Sequence, residues 1–186
     1  PNGSGKTMLI KLLTGLLRPE SGRIFNDGRD ITHLPPWERN IGYVPQEGIL
    51  FPNYSVARNL GFGLEVRHVS RADRARKVDE IADLLGIQHL LHRKPEGLSA
   101  GERQKVALGR ALVLGPSVLL LDEPVSSIDE AARDAVCHEL KRIQRHLGIT
   151  TLHVSHNHNE TALVADRVGY IANGQLTDKP TDLGTA

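Results

Sequence analysis

Cysteine occurs once in this sequence, as Cys137, and a lone thiol excludes an internal disulfide. That usage is compatible with a reducing compartment. Charge of one sign is also lacking: 23 basic side chains face 22 acidic ones, for a formal net charge of +1. A balance of this kind leaves no broad basic field and argues against general nucleic-acid binding. No apolar run approaches the roughly 20 residues that a membrane-spanning helix needs. No signal peptide is visible, and there is no internal repeat or low-complexity tract. What is present is ordinary for a globular chain: 186 residues, 39% hydrophobic and 24% charged. That length suffices for one domain with a real core, and residues 1–186 read as a single domain.

Apolar runs of strand length alternate with longer helical patterns, which predicts an α/β fold with a mainly parallel sheet. A helix is expected over 7–17, stopped at RPESG by Pro19 and Gly22. GRIFNDGRDI carries the hairpin signal Asp27-Gly28. Residues 41–44 read as a short strand ending at Pro45-Gln46. From 57 to 91 the pattern turns helical and charge-rich, with Ala75, Val78, Ile81, Ala82 and Leu85 on one face. This stretch reads as a helical insert, placed at about 57–97. A helix over 100–114 stops at Gly115-Pro116. VLLL, at 118–121, is wholly apolar, as a parallel strand covered on both faces should be. A helix over 129–147 should turn Val136, Leu140, Ile143 and Leu147 inward. TTLHVS follows as a β-branched strand, then a short helix over 157–165. A last hairpin joins 168–172 to Gln175-Leu176 through Asn173-Gly174.

Three stretches carry chemistry. PNGSGKT closes the phosphate-loop pattern with Gly5-Lys6-Thr7. Its opening glycine and the strand that feeds it would precede residue 1, so the chain reads as a fragment. LLLDEP delivers Asp122 and Glu123 at the C-terminal end of an apolar strand, where α/β sheets bind ligands. Downstream of a phosphate loop, such an aspartate organises Mg²⁺ and the next carboxylate polarises the attacking water. Taken alone, the pair could equally be two surface acids. In LSAGERQKVALGRAL, Ser99 stands where an N-cap belongs and Gly101 allows close backbone approach. A helix start of this kind is an anion site, though locally it could be no more than a well-capped helix. Two phosphate-binding helix starts in one chain suggest a dimer, with each nucleotide shared between two copies.

Together PNGSGKT, YVPQ, LSAGERQKVALGRAL, LLLDEP, SSID and HVSH resemble, in order and spacing, the nucleotide-binding subunit of an ABC transporter. The resemblance covers nearly the whole chain. It implies a P-loop NTPase core with a small antiparallel part and a helical insert, and it implies ATP and Mg²⁺ as ligands. Asn2, Gly3, Ser4, Gly5 and Lys6 would then cradle the phosphates, and the Thr7 hydroxyl would ligate Mg²⁺. Gln46 would contact Mg²⁺ and water and sense the membrane partner. Asp122 would hold Mg²⁺ and Glu123 would be the general base. Ser99 and Gly101 would bind the partner copy's nucleotide, Asp129 would speak across the dimer, and His156 would contact the γ-phosphate. Arg103 and Gln104 match the family signature LSGGQRQR. Ala100 and Glu102 depart from it, which implies weakened affinity for the partner's γ-phosphate. The family's adenine-stacking aromatic has no counterpart here.

The stretch QEGILFPNYSVARNLGFGLE is similar to a region of importer ATPases for molybdate, tungstate, sulfate and related solutes. LPPWERNIGYVPQ is similar to the molybdate/tungstate branch. The resemblance implies paired ATPases on the cytoplasmic face of the membrane, bound to transmembrane permease subunits and served indirectly by a solute-binding protein. No nucleic-acid partner is implied. A fused exporter or a non-transport ABC protein is the alternative, although Lys6 and Ser99 lie too close in the chain for the long coiled coil of the DNA-repair class. Phe51, Tyr54, Val56 and Leu60 either line the groove for a coupling helix or pack the insert internally. Trp37 is expected to pack beside the strand at 41–44. His153 and His158 are expected to be an ordinary strand residue and a solvated helix residue. Cys137 should pack within its helix. A regulatory domain that follows the ATPase in some family members is either absent or cut off.

Overall fold

The computed structural model describes residues 5–126, 128–172 and 174–177. The expectations for Asn2, Gly3, Ser4 and Asn173 lie outside the described residues. Three parallel strands form the main sheet: β3 (Ile41–Val44), β4 (Val118–Asp122) and β5 (Thr150–Val154), with β4 in the centre. Two-residue strands β1 (Phe25–Asn26) and β2 (Arg29–Asp30) pair antiparallel across Asp27-Gly28. Strands β6 (Tyr170–Ala172) and β7 (Gln175–Thr177) form a second antiparallel ribbon. The helices are α1 (Lys6–Thr14), α2 (Val56–Val66), α3 (Arg71–Leu84), α4 (Ala100–Leu112), α5 (Glu130–Leu147) and α6 (His158–Val164). This is the α/β architecture with a parallel sheet that the alternating pattern predicts, and its small antiparallel parts are those the resemblance implies.

Strand β4 is apolar from Val118 to Leu121, as a strand covered on both faces should be, and only its last residue, Asp122, is charged. Leu120 joins Ile10 of α1 and Val154 of β5 on one face. Leu119 and Leu121 join Leu60 of α2 and Val106 and Leu112 of α4 on the other. A third cluster packs α5 on α6 through Cys137 and Val164, with Val125 and Ile128 of the intervening loop. The parallel ladders are in strict register: Val44 lies opposite Leu121, and Leu121 opposite His153. All three strands therefore deliver their C-terminal ends to one edge.

The end of α1 comes earlier than Pro19 and Gly22 suggest. Thr14 is its last residue, and Gly15 caps it in the left-handed region at φ 80°. Arg39 explains the early stop. Its guanidinium is 2% exposed and donates to the Leu12, Leu13, Thr32 and Leu34 carbonyls at 2.7–3.0 Å. It thus satisfies orphan carbonyls at the helix C-terminus. A Cβ at position 15 would sit 2.5 Å from Arg39 Nε, so only glycine fits. The same inward turn of Arg39 leaves Trp37 facing out at 72% exposure, against the expectation that it packs.

Other expectations need correction. Helix α4 stops at Leu112, not 114. Ala75 is exposed at the mouth of an open cleft between α2 and α3, while Val78, Ala82 and Leu85 are buried. Leu147 is exposed at the last turn of α5, which Gly148 caps in the left-handed region, and Cys137 is buried instead. Of the two readings open for Val56 and Leu60, internal packing is the one observed: both are fully buried in the main core.

Candidate functional site

The residues just past the three strand ends meet. Glu123 follows the last residue of β4. Its backbone lies in the left-handed region at φ 47°, which costs a non-glycine residue on the order of 1–2 kcal/mol. Three hydrogen bonds hold it there: its N–H donates to the Val154 carbonyl, and its carbonyl accepts from the Ser126 N–H and hydroxyl. The strained turn aims the carboxylate across the strand ends. His156 Nε2 lies 2.7 Å from Glu123 Oε1, and Gln46 Nε2 donates to Glu123 Oε2 at 3.3 Å. Lys6 Nζ lies 3.3 Å from His156 Nδ1. An ammonium can only donate. Nδ1 is therefore the accepting nitrogen, and Nε2 carries the proton that meets Glu123.

Asp122 sits beside this group and accepts from the Tyr43 hydroxyl at 3.3 Å. Burial, then the Asp122 charge and hydrogen bond, push the Tyr43 phenol up to about 12. Tyr43 therefore stays a neutral donor to the aspartate. Thr7 is exposed in the first turn of α1. Thr7, Gln46 and Asp122 offer hydroxyl, amide and carboxylate oxygens, a donor set suited to a hard divalent cation.

The loop carrying Gln46 rests on α4. Gly48 has φ +53° and packs so closely on the buried Gln104 that a Cβ would lie 2.8 Å from Gln104 Oε1. Arg110 donates to the Ile49 carbonyl at 2.6 Å. Farther along, Phe51, Tyr54 and Phe62 cluster as tilted rings with centroids 4.6–6.2 Å apart. Arg58 lies 4.0 Å over Tyr54, and Arg110 lies 5.2 Å over Phe51.

Ser99 is the N-cap of α4, in a full capping box with Glu102. Ser99 Oγ accepts from the Glu102 N–H at 3.2 Å, and the Glu102 carboxylate accepts from the Ser99 N–H at 2.7 Å. Those bonds hold the Glu102 carboxyl below its ordinary value, the backbone bond foremost. Gly101 has open space where a side chain would be. Asp129 caps α5 by accepting from the Ala132 N–H at 3.0 Å. Lys6, Gln46, Glu123 and His156 thus come together, whereas Ser99 and Asp129 turn their hydrogen bonds to their own helices.

The sequence reading missed two residues. His153 is no ordinary strand residue: its Nε2 lies 2.5 Å from Glu160 Oε1. Glu160 is 6% exposed and also accepts from the Ser155 hydroxyl at 2.6 Å. The capping-box spacing of Asn157-His158-Asn159-Glu160 gives no such signal, since it would set the carboxylate on the Asn157 N–H, and that N–H meets the Ser155 hydroxyl oxygen instead. His158 is exposed, as expected.

Comparison with known proteins is consistent with this geometry. The model of the ABC transporter family matches residues 1–126. The molybdate/tungstate import ATP-binding protein WtpC of Thermococcus kodakarensis is 50% identical over 95% of this chain and 53% of its own length. WtpC of Archaeoglobus fulgidus is 48% identical over 96% of this chain and 74% of its own. The sulfate/thiosulfate import ATP-binding protein CysA of Caulobacter vibrioides is 42% identical over 95% of this chain and 53% of its own. The chain spans about half the length of most of the curated relatives it matches.

Proposed function

The chain belongs to the ABC transporter family, and from that premise we propose that it binds and hydrolyses ATP to drive an importer of molybdate- or tungstate-type oxyanions. The observation that carries the catalytic part is the Glu123 carboxylate, held between Gln46 and His156 with Lys6 on the far side of the imidazole. The solute class rests on the relatives named for molybdate/tungstate import.

Lys6 and the first N–H groups of α1 receive the phosphates, where a helix start favours negative charge. A γ-phosphate set against Lys6 is also within reach of His156. Glu123 is the general base that takes the proton of the attacking water, a role worth roughly 10²- to 10⁴-fold. The His156 Nε2–H engages Oε1 and so orients the carboxylate. Thr7, Gln46 and Asp122 would hold Mg²⁺, which supplies positive charge to the phosphate oxygens when bound. Asn2, Gly3 and Ser4 complete the cradle in this proposal.

A second copy closes the site, its Ser99 and Gly101 facing the nucleotide and its Asp129 lying at the seam. Closure pulls on transmembrane permease subunits, which a solute-binding protein supplies. The chain then works as a peripheral subunit at the cytoplasmic face; among the described residues, no helix is long and apolar enough to cross a membrane. The partner's coupling segment docks on the Phe51, Tyr54 and Phe62 cluster. Light scattering of the Glu123→Gln protein with and without Mg·ATP tests the pairing. ATP-dependent dimers support it, and a monomer that binds no nucleotide overturns the ATP-binding reading.

A further inference from the structure

His156 presents a difficulty for any mechanism that uses it. Its side chain is 38% exposed, and it sits on a short linker between β5 and α6. Packing alone does not orient it, yet its imidazole must meet Glu123 at one ring nitrogen and Lys6 at the other. The residues on either side of it are pinned instead. Ser155 donates its hydroxyl to Glu160 Oε2 at 2.6 Å, and the same Ser155 oxygen accepts the Asn157 N–H at 2.9 Å. Asn157 in turn caps α6, its side chain accepting from the Asn159 and Glu160 N–H groups. The other oxygen of Glu160 meets His153 of β5.

Resting on the ATP-hydrolysis reading above, we propose that Glu160 is a positioning residue for His156, acting through Ser155 and His153. The carboxylate ties strand, linker and helix together at one buried point. Both of its oxygens must accept, because both partners donate. An apolar residue could fasten α6 to β5, but it could not set the direction of the Ser155 hydroxyl. A glutamine has one acceptor and one donor end, so either Ser155 or His153 loses its acceptor. The Ser155 hydroxyl is then free to rotate, its bond to the Asn157 N–H loosens, and the backbone at 156 gains freedom.

The test is a mutant cycle on the full chain. Glu160→Gln should lower kcat about tenfold, in keeping with the steep cost of small misplacements at a reacting centre, with the ATP dissociation constant unchanged. His156→Ala should lower kcat further. In the His156→Ala background, Glu160→Gln should cost nothing more in turnover, because there is no imidazole left to position. A separate readout is the ¹⁵N imidazole spectrum of His156 without nucleotide, which should shift toward averaged tautomers in Glu160→Gln. Should Glu160→Gln fail to fold, Ser155→Ala serves in its place, since it leaves the buried carboxylate paired with His153. Equal losses in both backgrounds, or an unshifted His156 spectrum, overturn the proposal and leave the ATPase reading intact. Unchanged turnover in His156→Ala alone removes the role of His156, and the proposal falls with it.

Discussion

Glu123 and His156 face each other at 2.7 Å across the ends of two neighbouring parallel strands. Each stands beyond its strand, on a turn built from local hydrogen bonds, and the pair is what two separate segments of chain make together. Glu123→Gln should cut phosphate release by about 10²-fold or more while leaving ATP binding intact. Single-turnover hydrolysis beside equilibrium nucleotide binding separates the two effects. Retained turnover removes Glu123 as the base.

Lys6→Ala removes the charge that meets the phosphates. A charge-assisted hydrogen bond is worth about 1.5–3 kcal/mol, so ATP affinity should fall roughly 10- to 150-fold. Fluorescent-nucleotide titration measures this directly. Unchanged affinity would show that phosphates bind elsewhere.

Arg39→Met leaves the Leu12, Leu13, Thr32 and Leu34 carbonyls without their shared partner in a buried setting. The loss should be about 3 kcal/mol or more of unfolding free energy. Gly15→Ala should also destabilise, because its methyl group would collide with the guanidinium at an unfavourable φ. Urea unfolding of each variant provides the numbers, and wild-type stability in either would contradict the clamp.

Much of the candidate site was legible because its parts are local. Gly5-Lys6-Thr7, Gln46, Asp122-Glu123 and His156 each sit in a short strand–turn or turn–helix motif that survives translation into three dimensions. What could not be read depends on partners distant in sequence. Arg39 looks like any surface arginine until it meets the end of α1, and only then does the early stop at Thr14 make sense. Trp37 promised burial by its size, but the inward turn of Arg39 sent it out. Val56 and Leu60 gave no sign of which side of α2 the core would take. His153 and Glu160 sit on different elements, and a buried carboxylate is unexpected until its two donors are in view.

Glu102→Gln removes a carboxylate from the start of α4. A charge there interacts with a helix end by about 0.3–1 kcal/mol. ATP-driven dimerisation should therefore tighten about 2- to 5-fold, and the gain should shrink as salt rises. Sedimentation in a Glu123→Gln background reads the equilibrium. Weaker pairing would mean that the capping box matters more than the charge.

Acid should test Glu160. Burial pushes its carboxyl up, but the hydrogen bonds from His153 and Ser155, with the charges of His153 and Arg133, outweigh burial and hold it below 4.5. Facing it from α5, the Cys137 thiol is pushed up to about 11 by burial and by the Glu160 and Asp134 charges, so it stays neutral. A carboxyl depressed in the folded chain stabilises it above the unfolded pKa, and that stability is lost as pH falls through the lower folded value. The stability gap between wild type and Glu160→Gln should be full at neutral pH and shrink below about pH 4.5. Denaturant melts at several pH values follow it; a gap that persists unchanged in acid contradicts the assignment.

The register of the three parallel strands has a kinetic consequence. Gln46 and Glu123 are separated by 77 residues and Lys6 and His156 by 150, yet their meeting depends on ladders that pair distant segments. Helices α2 and α3 are built from near neighbours and can form early. The strands must wait for long loops to close, which is the slow part of folding for such topologies. ATP-binding competence should therefore be among the last properties to return on refolding, after most of the helical signal has already recovered.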